Sequence, residues 1–191
     1  MKELVFLVEG RAEKDFLDTL LPRLLPEGLL HRVIPFEGKQ DLERQMHKRI
    51  RGYLNPTARF IVLRDQDSHP DCAALKAGLQ ERCQGTGRET HCLVRIACKE
   101  LETFYLADLA AVEQALQLPG LAAYQSKSKF RHPDRLGSPS RELKTLTNNR
   151  YEKRLGSRVI GQHIQIENDR SPSFKNLING IRRFCTELEA L

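Results

Sequence analysis

Six acidic residues stand just beyond three apolar runs, in places where a strand would end. Glu9 and Glu13 follow Leu4-Val5-Phe6-Leu7-Val8. Asp65 and Asp67 follow Phe60-Ile61-Val62-Leu63, and Glu100 and Glu102 follow Leu93-Val94-Arg95-Ile96-Ala97. If the first and third strands are neighbours, Glu9, Glu13, Asp65 and Asp67 crowd one sheet edge, where each carboxylate makes ionisation of the others costlier. A divalent cation resolves that conflict. Asp-x-Asp at a strand end directs two hard oxygen donors into one pocket, which suits Mg²⁺ (or Mn²⁺), an ion that keeps several waters and takes few protein oxygens.

The elements that must position these acids are legible in the hydrophobic pattern. Leu4–Val8 reads as a strand buried on both faces, followed by a helix on which Ala12, Phe16, Leu17, Leu20, Leu21 and Leu24 recur, ending near Pro26. A strand fits 31–36, and Leu42, Met46 and Ile50 mark a helix before the turn Asn55-Pro56. After the strand at 60–63 comes a helix from about Pro70 to Cys83; after the strand at 93–97, a short helix over 98–106. This alternation predicts βαβ crossovers: an α/β fold with a mostly parallel central sheet and helices on both faces. The ligand site of such a sheet lies at the carboxyl ends of its strands, where the six acids fall.

The expected organisation is one domain. Residues 1–118 form the α/β core and 119–170 a basic insertion. Residues 171–191 form a C-terminal helix, capped by Ser171, that packs back through Phe174, Leu177, Ile178, Ile181, Phe184 and Leu188. With 191 residues, 40% hydrophobic and 29% charged, the chain suits one folded domain and excludes a disordered one. No stretch approaches the roughly 18 consecutive apolar residues of a membrane span, and Glu9 interrupts the N-terminal run too early for a secretory signal. A cytoplasmic location is expected. Five cysteines without CxxC spacing are expected as reduced, mostly buried thiols.

The turn Val8-Glu9-Gly10 with Glu13, and Leu63-Arg64-Asp65-Gln66-Asp67 further on, resemble the Toprim fold. That catalytic domain is shared by type I and II topoisomerases, primases, overcoming-lysogenization-defect nucleases and small ribosomal-RNA maturation nucleases. More narrowly, Glu9-Gly10-Arg11-Ala12-Glu13, Arg64-Asp65-Gln66-Asp67 and Glu100-Leu101-Glu102-Thr103-Phe104-Tyr105-Leu106-Ala107-Asp108 are similar to the family called domain of unknown function 4276. Arg141-Glu142-Leu143-Lys144, Tyr151-Glu152-Lys153 and Arg170-Ser171-Pro172-Ser173-Phe174 extend the resemblance over most of the chain. It implies a Toprim-like three-layer sandwich with Glu9, Asp65 and Asp67 as catalytic residues. Glu9 is then general acid or base and metal ligand, Asp65 and Asp67 hold Mg²⁺, and Glu13 with Glu100 or Glu102 helps hold another ion. Two cations about 4 Å apart stabilise the attacking and leaving oxygens of a phosphodiester displacement. The implied activity is a nuclease acting on DNA or RNA, with an ATPase partner in an antiphage or mobile-element setting.

The charge is unevenly placed. Between Ser126 and Arg158 lie ten basic and three acidic residues, a surplus of seven in a chain whose net charge is +6. Lys127, Lys129 and Arg131 in this window are expected to bind nucleic acid, with Tyr124, Phe130 and Tyr151 available to stack on unpaired bases. Lys99, Lys144, Lys153 and Arg170 are candidates for contact with a phosphate whose charge develops during reaction. Two other readings use the same residues. One is a non-catalytic module in which the acids hold a structural ion. The other is a phosphatase of the haloacid-dehalogenase type, with Asp65 as nucleophile and Asp67 as acid/base.

Overall fold

The computed structural model describes residues Met1 to Leu191. Four strands, β1 (Glu3–Val8), β2 (Leu30–Pro35), β3 (Arg59–Asp65) and β4 (Cys92–Ala97), form a sheet in the order β2-β1-β3-β4. Every neighbouring pair is parallel. The chain steps outward from β1 to β2 and then returns past β1 to β3. The connection therefore reverses at the boundary between β1 and β3, the position where open parallel sheets bind their ligands.

Side-chain alternation divides the core into two layers. Leu4, Phe6, Val8, Ile61 and Leu63 face one side, and Val5, Leu7, Phe60 and Val62 face the other. The second face is covered by α2 (Lys39–Arg51) and α3 (Cys72–Cys83), and its core comprises 14 buried residues. The first face carries α1 (Arg11–Leu20), α4 (Glu102–Leu106), α5 (Leu109–Leu116), α6 (Ser128–Arg131), α7 (Pro139–Leu146), α8 (Lys153–Gly161) and α9 (Pro172–Glu189). Its core has 33 buried residues, more than twice the number on the second face.

The C-terminal helix is as expected: Phe174, Leu177, Ile178, Ile181, Phe184 and Leu188 are all buried, and Ser171 Oγ accepts from the Phe174 N–H at 3.1 Å. The basic segment differs from its expectation. Leu121, Phe130, Leu143, Tyr151, Ile160 and Ile164 all enter the larger core, so Phe130 and Tyr151 offer no ring to a base; Tyr124 remains exposed. Pro22 shortens the first helix. A proline cannot donate to the carbonyl four residues back, and α1 passes at Leu20 into a 3-10 turn over Leu21–Arg23. The cysteines are free, but only Cys83 and Cys185 are buried; Cys72, Cys92 and Cys98 are half-buried. No helix is long and apolar enough to cross a membrane.

The seam between α1 and α8 holds the basic segment in place. The buried Asp15 carboxylate accepts from Arg154 Nε on Oδ2 and from Arg158 Nη2 on Oδ1, both at 2.9 Å. A methyl group on Gly161 would stand 2.8 Å from the Phe16 carbonyl and collide with Thr19 Oγ1. Gly161→Ala should therefore push the helices apart and cost about 1–3 kcal/mol, read as a shift in the urea midpoint at constant slope. Burial disfavours the Asp15 carboxylate, but hydrogen bonds from Arg158 and Arg154 outweigh it and hold the carboxyl below its usual range. The stabilisation is complete above the unfolded carboxyl's ordinary pKa and is lost as pH falls through the lower folded value. Asp15→Asn should cost about 1 kcal/mol at neutral pH, discounted because both arginines are half-exposed, and the difference from the parent should shrink below about pH 4.

Candidate metal centre

Register places Val8 of β1 against Leu63 of β3, so the two chain exits lie side by side, and the Asp65 N–H donates to Glu9 Oε1 at 3.2 Å. Glu9 and Asp65 thus share one sheet edge. Beyond Val8, Gly10 leads into α1, whose first turn carries Glu13, 3% exposed. Asp65 is the last residue of β3, also 3% exposed; by strand alternation it projects to the face of Ile61 and Leu63. Glu102 opens α4 and is fully buried. Its Oε1 accepts from the Tyr151 hydroxyl at 3.0 Å, and Gly156 leaves room for that ring, since a Cβ there would strike it.

This buried group is short of partners. Asp65 Oδ1 and Glu102 Oε2 are both shielded from solvent and hydrogen-bonded to nothing. Burial pushes the Asp65 carboxyl well above its ordinary range; Glu13, Glu9 and Glu102 raise it further, while Lys153 opposes them. Burial likewise raises Glu102, again against Lys153. Desolvation pulls the Lys153 ammonium down, but Glu102, Asp65, Glu13 and Glu100 outweigh it and hold the lysine above its usual value, hence charged.

A second group lies toward α2. Arg64, 6% exposed, alternates to the opposite face from Asp65. Its guanidinium meets Glu43 Oε1 at 2.9 Å, Glu9 Oε1 at 3.7 Å and Asp67 Oδ2 at 3.8 Å, and Lys39 Nζ lies 2.9 Å from the same Asp67 oxygen. Burial raises the Glu9 carboxyl to about 7, with Arg64 lowering it and Asp67 and Glu13 raising it. Asp67 and Lys99 both adopt left-handed backbone, at φ 53 and 64. Their loops are clasped: the Asp67 N–H donates to the Lys99 carbonyl at 2.7 Å, and the Lys99 N–H to Gln66 Oε1 at 3.3 Å. Non-glycine residues in this region cost energy and persist where surroundings over-determine them, as two interlocked loops do here.

The sequence-predicted residues thus divide. Glu9, Glu13, Asp65, Asp67 and Glu102 gather at the edge, with Lys153 among them. Glu100 is engaged elsewhere: both its oxygens accept from Ser140, through N–H at 2.7 Å and Oγ at 3.0 Å, fastening the start of α7. Lys127 lies over the Tyr124 ring at 3.9 Å, Lys129 pairs with Glu142 at 2.7 Å and Arg170 Nη1 reaches the Ala107 carbonyl at 3.4 Å. Arg131 donates to the Ser126 carbonyl at 3.3 Å, and Lys144 is exposed on α7. None of these five pairs with the six acids. Sequence reading missed Arg64, Lys39 and Glu43, and it gave Tyr151 to base stacking, whereas its hydroxyl donates to Glu102. Two signals were present: a charged residue continuing an apolar strand needs a buried counter-charge, and a lysine in the first turn of a helix opposes the dipole there.

No three His, Cys, Asp or Glu side chains are assembled closely enough to ligate one ion together. The donor set is nevertheless all hard oxygen, with two buried carboxyl oxygens unpartnered, and that chemistry fits a Mg²⁺-like ion.

No curated protein matches this chain. The C-terminal region of the Burkholderia pseudomallei OLD protein has a similar structure, with a TM-score of 0.58 over 95% of this chain and 98% of that one, at 16% sequence identity. Identity that low carries the fold alone. The profile of the family described as domain of unknown function (DUF4276) matches residues 8–182, a span that includes every acid of the site, and the chain belongs to that family.

Proposed function

We propose that this protein is a Mg²⁺- or Mn²⁺-dependent phosphodiesterase that cleaves DNA or RNA. The observation that carries the reading is the buried meeting of Glu13, Asp65 and Glu102, with Asp65 Oδ1 and Glu102 Oε2 lacking any partner. A carboxylate in that position is costly unless a cation completes it. Asp65 with one neighbouring carboxylate of this group, and water in the remaining positions, would hold one ion, and Glu9 with Asp67 would lie on its α2 side. A divalent ion there supplies a Lewis acid for the phosphoryl oxygens and lowers the pKa of water. Glu9, raised to about 7, is suited to take or return a proton near neutral pH, and Lys153 supplies a fixed positive charge where negative charge develops. The reading agrees with the Toprim resemblance of the same residues, and it leaves a use for Glu9 that a phosphatase loop built on Asp65 and Asp67 does not. An ATPase partner belongs to this reading on the strength of that resemblance.

Mn²⁺ calorimetry and cleavage of labelled DNA and RNA test it. Asp65→Asn should lower cleavage by about a hundredfold or more and weaken Mn²⁺ binding. In EDTA at pH 8 the same variant should melt higher than the parent, by about 1–2 kcal/mol, because it removes a carboxylate whose ionisation burial opposes; Mn²⁺ should reverse the order. Mn²⁺ binding without cleavage of either nucleic acid would instead support the non-catalytic module.

Because metal ligands must be deprotonated, Mn²⁺ affinity should rise with pH as the Asp65, Glu102 and Glu9 carboxyls, all raised by burial, lose their protons, with the Glu9 step near pH 7. Glu9→Gln should remove the step near pH 7; an unchanged profile would show that the Glu9 carboxyl is not coupled to the bound ion.

A further inference from the structure

The α1–α8 seam carries a group of cations apart from the expected basic patch at Lys127, Lys129 and Arg131. Arg11 and Lys14 of α1, with Arg154 and Arg158 of α8, line an open cleft of about 450 Å³ beside the β2–α2 connection. Arg11 is exposed and has no ion pair. Arg154 offers Asp15 only its Nε and Arg158 only one terminal nitrogen, and both side chains stay more than half exposed. One buried carboxylate therefore fixes two guanidinium groups side by side on the lining of the cleft and leaves their remaining N–H donors without a side-chain partner. Of the three acids that also line it, Asp15 is engaged by both arginines, Asp18 by Lys14 at 2.6 Å, and Glu37 alone is unpaired.

Two immobilised guanidinium forks with a free arginine nearby match the oxygens of successive phosphates, because planar N–H donors pair bidentately with such groups and their ordering entropy is already lost. The cleft is continuous in sequence with the acid site at both ends: Arg11 stands between Glu9 and Glu13, and Arg154 follows Lys153. We propose that Arg11, Lys14, Arg154 and Arg158 form the track that holds the phosphodiester backbone of a nucleic-acid strand as it approaches Asp65. The assignment rests on the phosphodiesterase reading and names the surface that reading lacked.

The test uses the full chain and fluorescein-labelled DNA and RNA strands of about 20 nucleotides, read by anisotropy in EDTA so that no cleavage intervenes. Arg11→Gln with Lys14→Gln removes two cations without touching Asp15. It should weaken binding at least about tenfold and lower the dependence of log affinity on log salt by about 1.4. Arg154→Lys with Arg158→Lys keeps the charge opposite Asp15 but loses the forks; it should weaken binding with an unchanged salt slope. Because the two pairs differ in their demands on stability, either alone suffices if the other misfolds. Preference for RNA or DNA in the parent names the source of the strand. Parent-like binding by both variants, loss of binding only with Lys127→Ala, Lys129→Ala and Arg131→Ala, or no oligonucleotide binding by the parent would overturn the track. The phosphodiesterase reading fails by a different measurement: Mn²⁺ binding indifferent to Asp65→Asn, whatever the oligonucleotide data show.

Discussion

The last two residues of β3 send opposite charges to opposite faces of the sheet, and much of the molecule is arranged to accommodate them. Arg64 passes into the layer of α2, where Glu43, Glu9 and Asp67 surround it. Asp65 passes into the layer of α1 and α4 and meets other carboxylates, with only Lys153 to oppose them. In a sheet interior such charges are tolerable only if paired. The Arg64 side is satisfied by the protein itself, whereas on the Asp65 side two carboxyl oxygens stay unmatched. This asymmetry between adjacent residues is the strongest chemical statement the fold makes.

The heavy helical layer follows from it. A βαβ core ending near residue 118 would leave α1, Glu13 and Glu102 open to water on the side now closed by α8. Tyr151 and Lys153 enter from that segment, Tyr151 donating to Glu102 and Lys153 supplying the cation. Gly161 permits α8 to lie against α1, Gly156 permits the tyrosine ring to reach, and Glu100 fixes the start of α7 through Ser140. The basic window is therefore less a separate surface than the wall that lowers the dielectric around the acids, and lower dielectric is what moves their protonation toward neutral pH.

The same packing separates two kinds of positive charge. Arg64 is a buried partner of Glu9, Asp67 and Glu43, and with the half-exposed Lys39 it holds Asp67 toward α2. Arg154 and Arg158 are anchored from below by Asp15 and face solvent above. Net charge alone does not distinguish these roles, because both sets count equally in the total of +6. Burial and the number of donors already engaged do.

Local sequence was enough to determine the strands, most helices and the edge at which the acids gather. A run such as Val5 to Val8 is compatible with a strand covered on both sides, Ser171-Pro172 caps a helix, and parallel order leaves the strand ends on one edge whatever the loops do. Glu9, Asp65 and Asp67 were legible for that reason. Tertiary structure alone decided that Glu102 lies in the buried group while Glu100 fastens α7, that Phe130 and Tyr151 are core residues, and that Arg64 belongs to Glu43 rather than to solvent. Each of those outcomes joins residues at least 21 positions apart in sequence or depends on which helix covers which face. Periodicity reports which side of an element is apolar. It carries no information on which distant element comes to lie against it, and that neighbour sets the burial, pairing and protonation of every charged group at the site.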